Sequence, residues 1–172
     1  MSDRKSKKAQ FAQPQKNNLL PVIAVAALIV GSIGLIGWNV LGGRGAGTFP
    51  VVSASQGRVL IPATQVSDGK AHFYTYKHGA TDINFLVIKS ADGQIRAALD
   101  SCDVCFSARR GYRQEGDNMV CNKCNQKFPS NLVNEIRGGC NPVPLQRALV
   151  EDQVDIPEAE LIQGAWYFQG KA

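Results

Sequence analysis

The chain has 172 residues, room for one ordinary domain, and carries 19 Lys and Arg against 14 Asp and Glu, a formal charge of +5. Arg4, Lys5, Lys7, Lys8 and Lys16 are opposed only by Asp3 within residues 1–16, so the excess sits in a short tail. That distribution argues against a nucleic-acid-binding domain, whose charge must cluster on folded surface, and five cysteines are too sparse for a disulfide scaffold.

Behind the basic tail of residues 1–18, residues 19–41 read LLPVIAVAALIVGSIGLIGWNVL, 23 residues without a charge. As a helix this stretch reaches about 35 Å, enough to cross a hydrocarbon core about 30 Å thick. Pro21 falls in the first turn, where its missing N–H costs nothing, and Trp38 lies near the far end, at headgroup depth. The stretch is too long for the apolar core of a cleaved signal peptide, and no A-x-A-like site closes it. It predicts an uncleaved signal anchor. Because basic flanks stay in the cytoplasm, the chain is expected to cross the cell (inner) membrane once, N-terminus cytoplasmic and C-terminal domain extracytoplasmic. Residues 42–57, rich in Gly, Ser and Ala, read as a flexible linker, and residues 58–172 as the extracytoplasmic domain.

Within that domain, residues 70–76 (KAHFYTY) predict a strand and residues 77–80 a turn. Residues 82–90 (DINFLVIKS) carry apolar side chains at both parities, the pattern of a central strand covered on both faces. Ala91-Asp92-Gly93 is a hairpin signal, and residues 94–99 return as the partner strand that delivers the chain to the first cysteines. Tyr112 reads as a packed aromatic in a turn, and residues 118–120 as a short strand. Ser130 predicts a cap for a helix over residues 131–137 with Leu132, Val133 and Ile136 inward. Asp155, Pro157 and Glu158 resemble a helix start, with its stop near Gly164. The expected fold class is α+β: a single transmembrane helix, then a small, mostly antiparallel β domain with short helices built around C-x2-C knuckles.

The cysteines fall as Cys102-x2-Cys105, fifteen residues, Cys121-x2-Cys124, fifteen more, then Cys140. Two C-x2-C pairs at this separation match metal knuckles. Two intervening residues let a tight turn aim both sulfurs at one ion, with amide N–H groups directed at the thiolates. Three chemistries fit the spacing: a closed structural zinc site, an iron–sulfur or iron site that carries electrons, and disulfides on an oxidising side of the membrane. Cys140 exceeds the four ligands of a simple site and is either a further ligand or a free thiol; Gly138 and Gly139 before it permit close backbone approach. His72 and His78 are weaker candidate ligands, since a lone strand or turn histidine is more often hydrogen-bonded than metal-bound. Arg109, Arg110, Arg113, Lys123 and Lys127 stand beside the knuckles, either as thiolate stabilisers and docking groups or as a solvated basic face.

The runs Ala98-Leu99-Asp100-Ser101-Cys102-Asp103-Val104-Cys105, Gly111-Tyr112-Arg113-Gln114-Glu115-Gly116, Met119-Val120-Cys121-Asn122-Lys123-Cys124 and Gly138-Gly139-Cys140-Asn141-Pro142 resemble the membrane iron–sulfur-containing FtrD-like family. The resemblance spans about residues 58–168, and all five cysteines fall on the family's cysteine positions. It implies a membrane protein of an iron uptake system, with an iron–sulfur cluster or iron as cofactor; zinc stays the alternative from the cysteine spacing. It further implies an iron permease and a periplasmic iron- or copper-binding protein as partners; no nucleic acid is expected, on the charge distribution above. Some members carry this domain after many membrane spans, whereas this chain offers one, so any channel must belong to a partner. No nucleophile–base pair or phosphate loop is visible, so the expected role is electron transfer or metal handling rather than bond-making catalysis. A zinc-stabilised docking module and an extracytoplasmic thiol–disulfide protein are the other two readings.

Overall fold

The computed structural model describes residues 49–169. The expected basic tail, membrane span and first part of the linker lie outside these residues. Among the described residues no helix is long and apolar enough to cross a membrane.

Among the described residues, three small sheets and one short helix make up the fold. The largest sheet is built on β3 (His72–His78) and β4 (Thr81–Lys89), rich in aromatic and β-branched residues. They form an antiparallel hairpin that pairs His78 with Thr81 across Gly79, whose φ of 59° suits a tight turn. β5 (Ile95–Leu99) pairs on the other side of β4, joined through the Asp92-Gly93 turn. β1 (Val51–Val52) runs parallel to β3 at the opposite edge, and Phe49 stacks on Phe73 with ring centroids 5.0 Å apart. Within residues 49–57, placed by the sequence reading in the linker, Val51 and Val52 pair with β3, and Val52 and Ala54 pack against the core. Val51 and Val52 are too few to read as a strand from sequence, but two residues suffice to extend an existing edge.

A second sheet takes the order β2-β10-β9, from β2 (Arg58–Pro62), β9 (Ala148–Val150) and β10 (Gln153–Pro157). It joins the two ends of the domain, and Arg58 Nε donates to Asp155 Oδ1 at 2.6 Å across it. The third sheet has the order β6-β7-β8, from β6 (Tyr112–Glu115), β7 (Asn118–Cys121) and β8 (Lys127–Pro129). Helix α1 (Glu158–Gln163) follows β10 and tightens into a 3-10 turn over Gly164–Tyr167.

β4 divides two cores. Ile83, Phe85 and Val87 point to one side, where they pack with Ala97 and Leu99 of β5, Val59 and Ile61 of β2, Val154 and Ile156 of β10, and Leu161 of α1. Leu86 and Ile88 point to the other side, where they meet Ala98, Tyr112, Met119, Val133 and the sulfurs of Cys102 and Cys121. Burying a side chain the size of Phe85 contributes about 1.5–3 kcal/mol, so both faces of β4 hold the fold. The mostly antiparallel expectation holds, as does the covered central strand.

Two helix expectations do not hold as written. Residues 131–137 are not a helix: a 3-10 turn over Ser130–Leu132 gives way to extended Val133. Val133 is buried but Ile136 is exposed, so the expected inward stripe is broken. Asn134 adopts φ 72° and turns its amide to the main chain, donating to Ala97 O at 2.7 Å and Leu145 O at 2.9 Å. Asp155 does not cap a helix either. It lies inside β10, its carboxylate taken by Arg58, and the helix begins at Glu158 after Pro157. Tyr112, expected in a turn, opens β6.

Candidate metal centre

Each knuckle is delivered by a strand end. β5 hands the chain to Asp100, whose N–H bonds Asn84 O at 2.9 Å, and Ser101 O accepts from Val143 N–H at 3.1 Å. Cys102 then begins the first knuckle, and Cys105 N–H points back at Cys102 Sγ, 3.1 Å away. A 3-10 turn over Phe106–Ala108 closes it, ended by Arg109 in the left-handed conformation. The second knuckle leaves β7 at Cys121. Asn125, at φ 58°, donates its N–H to Cys121 O at 2.9 Å, which reverses the chain around Cys124. The two knuckles are tied together by Asn122, whose N–H reaches Gly111 O at 3.0 Å and whose side-chain amide donates to Arg110 O at 2.8 Å. Cys140 comes from a third loop, turned by Gly138 (φ 97°) and Gly139 (φ 64°). Its carbonyl accepts from the Tyr112 hydroxyl at 2.6 Å.

All five predicted cysteines meet. The sulfurs of Cys102, Cys105 and Cys121 lie within 4.8 Å of one another, as do those of Cys105, Cys124 and Cys140. Cys105 Sγ is 3.8 Å from Cys140 Sγ, and all five are free thiols. Cys102 and Cys121 are buried, Cys105 and Cys140 half-buried, and Cys124 exposed. The surroundings of these sulfurs shift them in opposite directions. Burial pushes the Cys105 thiol well above its ordinary range, with the neighbouring Cys140 and Cys121 adding to the effect. Burial also pushes Cys140 up to about 11. Cys124 moves down instead, because the Gln126 main-chain N–H supports its thiolate. Burial, with Cys102 beside it, raises the Tyr112 hydroxyl far above its usual range.

The donor set tests which metals fit. Sulfur alone converges here, which suits zinc, Cu(I), iron or iron–sulfur chemistry and not a hard oxygen-seeking ion. A tetrahedral ion with metal–sulfur bonds of about 2.3 Å needs sulfurs about 3.8 Å apart, and the Cys105–Cys140 separation meets it. Neither histidine joins either sulfur group: His72 Nε2 sits 2.7 Å from Asp68 Oδ1, and His78 lies exposed at the end of β3.

A cavity of about 480 Å³ opens beside the Cys102, Cys105 and Cys121 sulfurs and is lined also by Arg109, Arg110 and Lys123. The other two basic residues do something else. Arg113 bonds Glu115 at 2.7 Å and Asn122 Oδ1 at 3.0 Å, clamping the second knuckle, while Lys127 pairs with Glu115 at 2.8 Å. Three contributors were missed by sequence reasoning. Asp100 accepts the Tyr112 N–H at 2.7 Å and Gly111 packs against its carboxylate; Tyr167 donates to Asp103 inside the first knuckle. Asp100, Asp103 and the Gly111-Tyr112 pair stood in runs already quoted for the family resemblance, and Tyr167 did not.

Residues 66–168 match the family described as membrane iron–sulfur containing protein FtrD-like. The chain belongs to the FtrD-like family. This membership, with sulfur-only clusters able to hold a metal ion, associates the chain with membrane proteins of metal and iron–sulfur chemistry. No curated protein matches the chain. Among solved structures it is similar to the quaternary ammonium Rieske monooxygenase CntA, crystallised with an inhibitor. That likeness has 17% identity and a TM-score of 0.37, over 57% of this chain and 30% of that one. The FtrD-like chain therefore spans less than a third of the monooxygenase.

Proposed function

We propose that this FtrD-like protein is a single-pass membrane protein whose extracytoplasmic domain holds iron, as an iron or iron–sulfur centre, and serves an iron uptake system by electron transfer or metal handling. The proposed ligands are Cys102, Cys105, Cys121, Cys124 and Cys140. The observation that carries the reading is the convergence of all five sulfurs in a chain of this family.

Bound there, the centre would supply one-electron exchange. The chain's own residues would prepare the site. Cys105 N–H donates to Cys102 Sγ at 3.1 Å and holds that sulfur in place. Tyr112, buried beneath the knuckles, keeps water from the inner sulfurs and holds the Cys140 loop through its hydroxyl. Arg109, Arg110 and Lys123 line the cavity next to the thiolates, offset their charge, and give an acidic partner surface a place to dock. The family resemblance supplies the partner class, an iron permease with a periplasmic iron- or copper-binding protein.

The 3.8 Å sulfur spacing also favours a second reading, a structural zinc site in a docking module. Iron uptake separates function from mere folding. Cells whose full-length chain carries Cys121→Ser should take up radioactive iron no faster than cells lacking the chain. Undiminished uptake by a variant present at normal levels in the membrane would overturn the proposal.

A further inference from the structure

The five sulfurs divide into two sets of three that meet at Cys105, rather than forming one set of four. Cys102, Cys105 and Cys121 make one triangle, and Cys105, Cys124 and Cys140 the other. A single four-thiolate ion would draw its ligands into one group with every pair close, and would leave the fifth sulfur aside. Here no sulfur is left over.

We propose that the five cysteines hold two thiophilic metal ions, one in each triangle, and that the Cys105 sulfur bridges them. This rests on the reading that the cysteines are metal ligands. A thiolate has lone pairs for two soft ions, and Cys105 is the sulfur common to both sets. Each cysteine releases its proton to solvent as it binds, and no electron changes hands. Two divalent ions leave the five thiolates with a single net negative charge, next to Arg109, Arg110 and Lys123. The two positions differ in surroundings. The Cys102–Cys105–Cys121 triangle borders the cavity of about 480 Å³, so an ion there has three protein sulfurs and space for a fourth, exogenous ligand. The second triangle includes exposed Cys124 and is the side open to metal exchange.

Co(II) is the probe. The full chain in detergent is stripped of metal, titrated with Co(II) without oxygen, counted by native mass spectrometry and followed by electron paramagnetic resonance. The wild type should take two ions, with a resonance at full loading smaller than that of two isolated ions. C102S and C140S should each keep one ion. Cys124→Ser, which alters an exposed residue and leaves the core intact, should also keep one. Cys105→Ser should weaken both ions by more than the roughly 10–100-fold cost of losing an outer-shell partner. Saturation at one Co(II) per chain overturns the bridge but leaves a single centre standing. Two ions without magnetic coupling also overturn it. A folded chain that takes no Co(II) overturns the metal reading as well.

Discussion

Gly111 has no room for a side chain. Its φ is +57°, and an added Cβ would overlap the carboxylate of Asp100. That carboxylate accepts the Tyr112 N–H, and its burial pushes it up to about 7. Gly111 therefore lets the end of β5 and the start of β6 close on each other, which fixes where both knuckles stand. Gly111→Ala should destabilise the domain by about 1–3 kcal/mol from backbone strain, before the overlap is counted. It should also lower metal loading, read from thermal unfolding and metal content; an unchanged melting temperature would contradict this. The cysteines themselves were legible, because their spacing encodes the chemistry. The role of Asp100 was not, since its partner Tyr112 is twelve residues away and arrives only when the sheets form.

Among the elements, the segment between β8 and Cys140 shows how tertiary contacts override local pattern. Leu132, Val133 and Ile136 have helical spacing, yet the sheet claims the segment first. Arg96 of β5 is 4% exposed and donates to Val133 O at 3.0 Å and to Glu135 at 2.6 Å, while Asn134 bonds both main-chain groups of Ala97. A helix would have to surrender those bonds, and leaving buried Arg96 unpaired costs several kcal/mol. Asp92 completes the arrangement from the β4–β5 turn, 2.6 Å from Arg96. The Ser90 hydroxyl, the Gln94 N–H and Arg96 together hold the Asp92 carboxyl down at about 2. Since an unfolded aspartate titrates near about 3.9, Asp92 stabilises the fold above that value, and the contribution is lost as pH falls toward 2. Asp92→Asn should therefore melt lower than the wild type at pH 7, with the gap closing between about pH 4 and 2. Melting curves of the two chains that stay parallel across that window would contradict the assignment.

On the scale of the whole molecule, β4 is the element both cores share. Its double apolar face could be read directly from residues 82–90, and the structure fills both faces. The second sheet could not be read, because β2 and β10 pair Arg58 with Pro157 from opposite ends of the domain and each is too short to announce itself. The division of labour follows from the two faces. One core holds Leu161 of α1 and no cysteine; the other includes Cys102 and Cys121, so the proposed centre is tied into the fold. If iron is held there, the full chain purified without oxygen should contain it, with sulfur-to-iron charge-transfer bands in the visible spectrum that bleach on reduction with dithionite. Visible spectrum and elemental analysis, taken on one sample, decide the matter. Iron with those bands is the predicted result; one zinc per chain and no colour would contradict an electron-carrying centre.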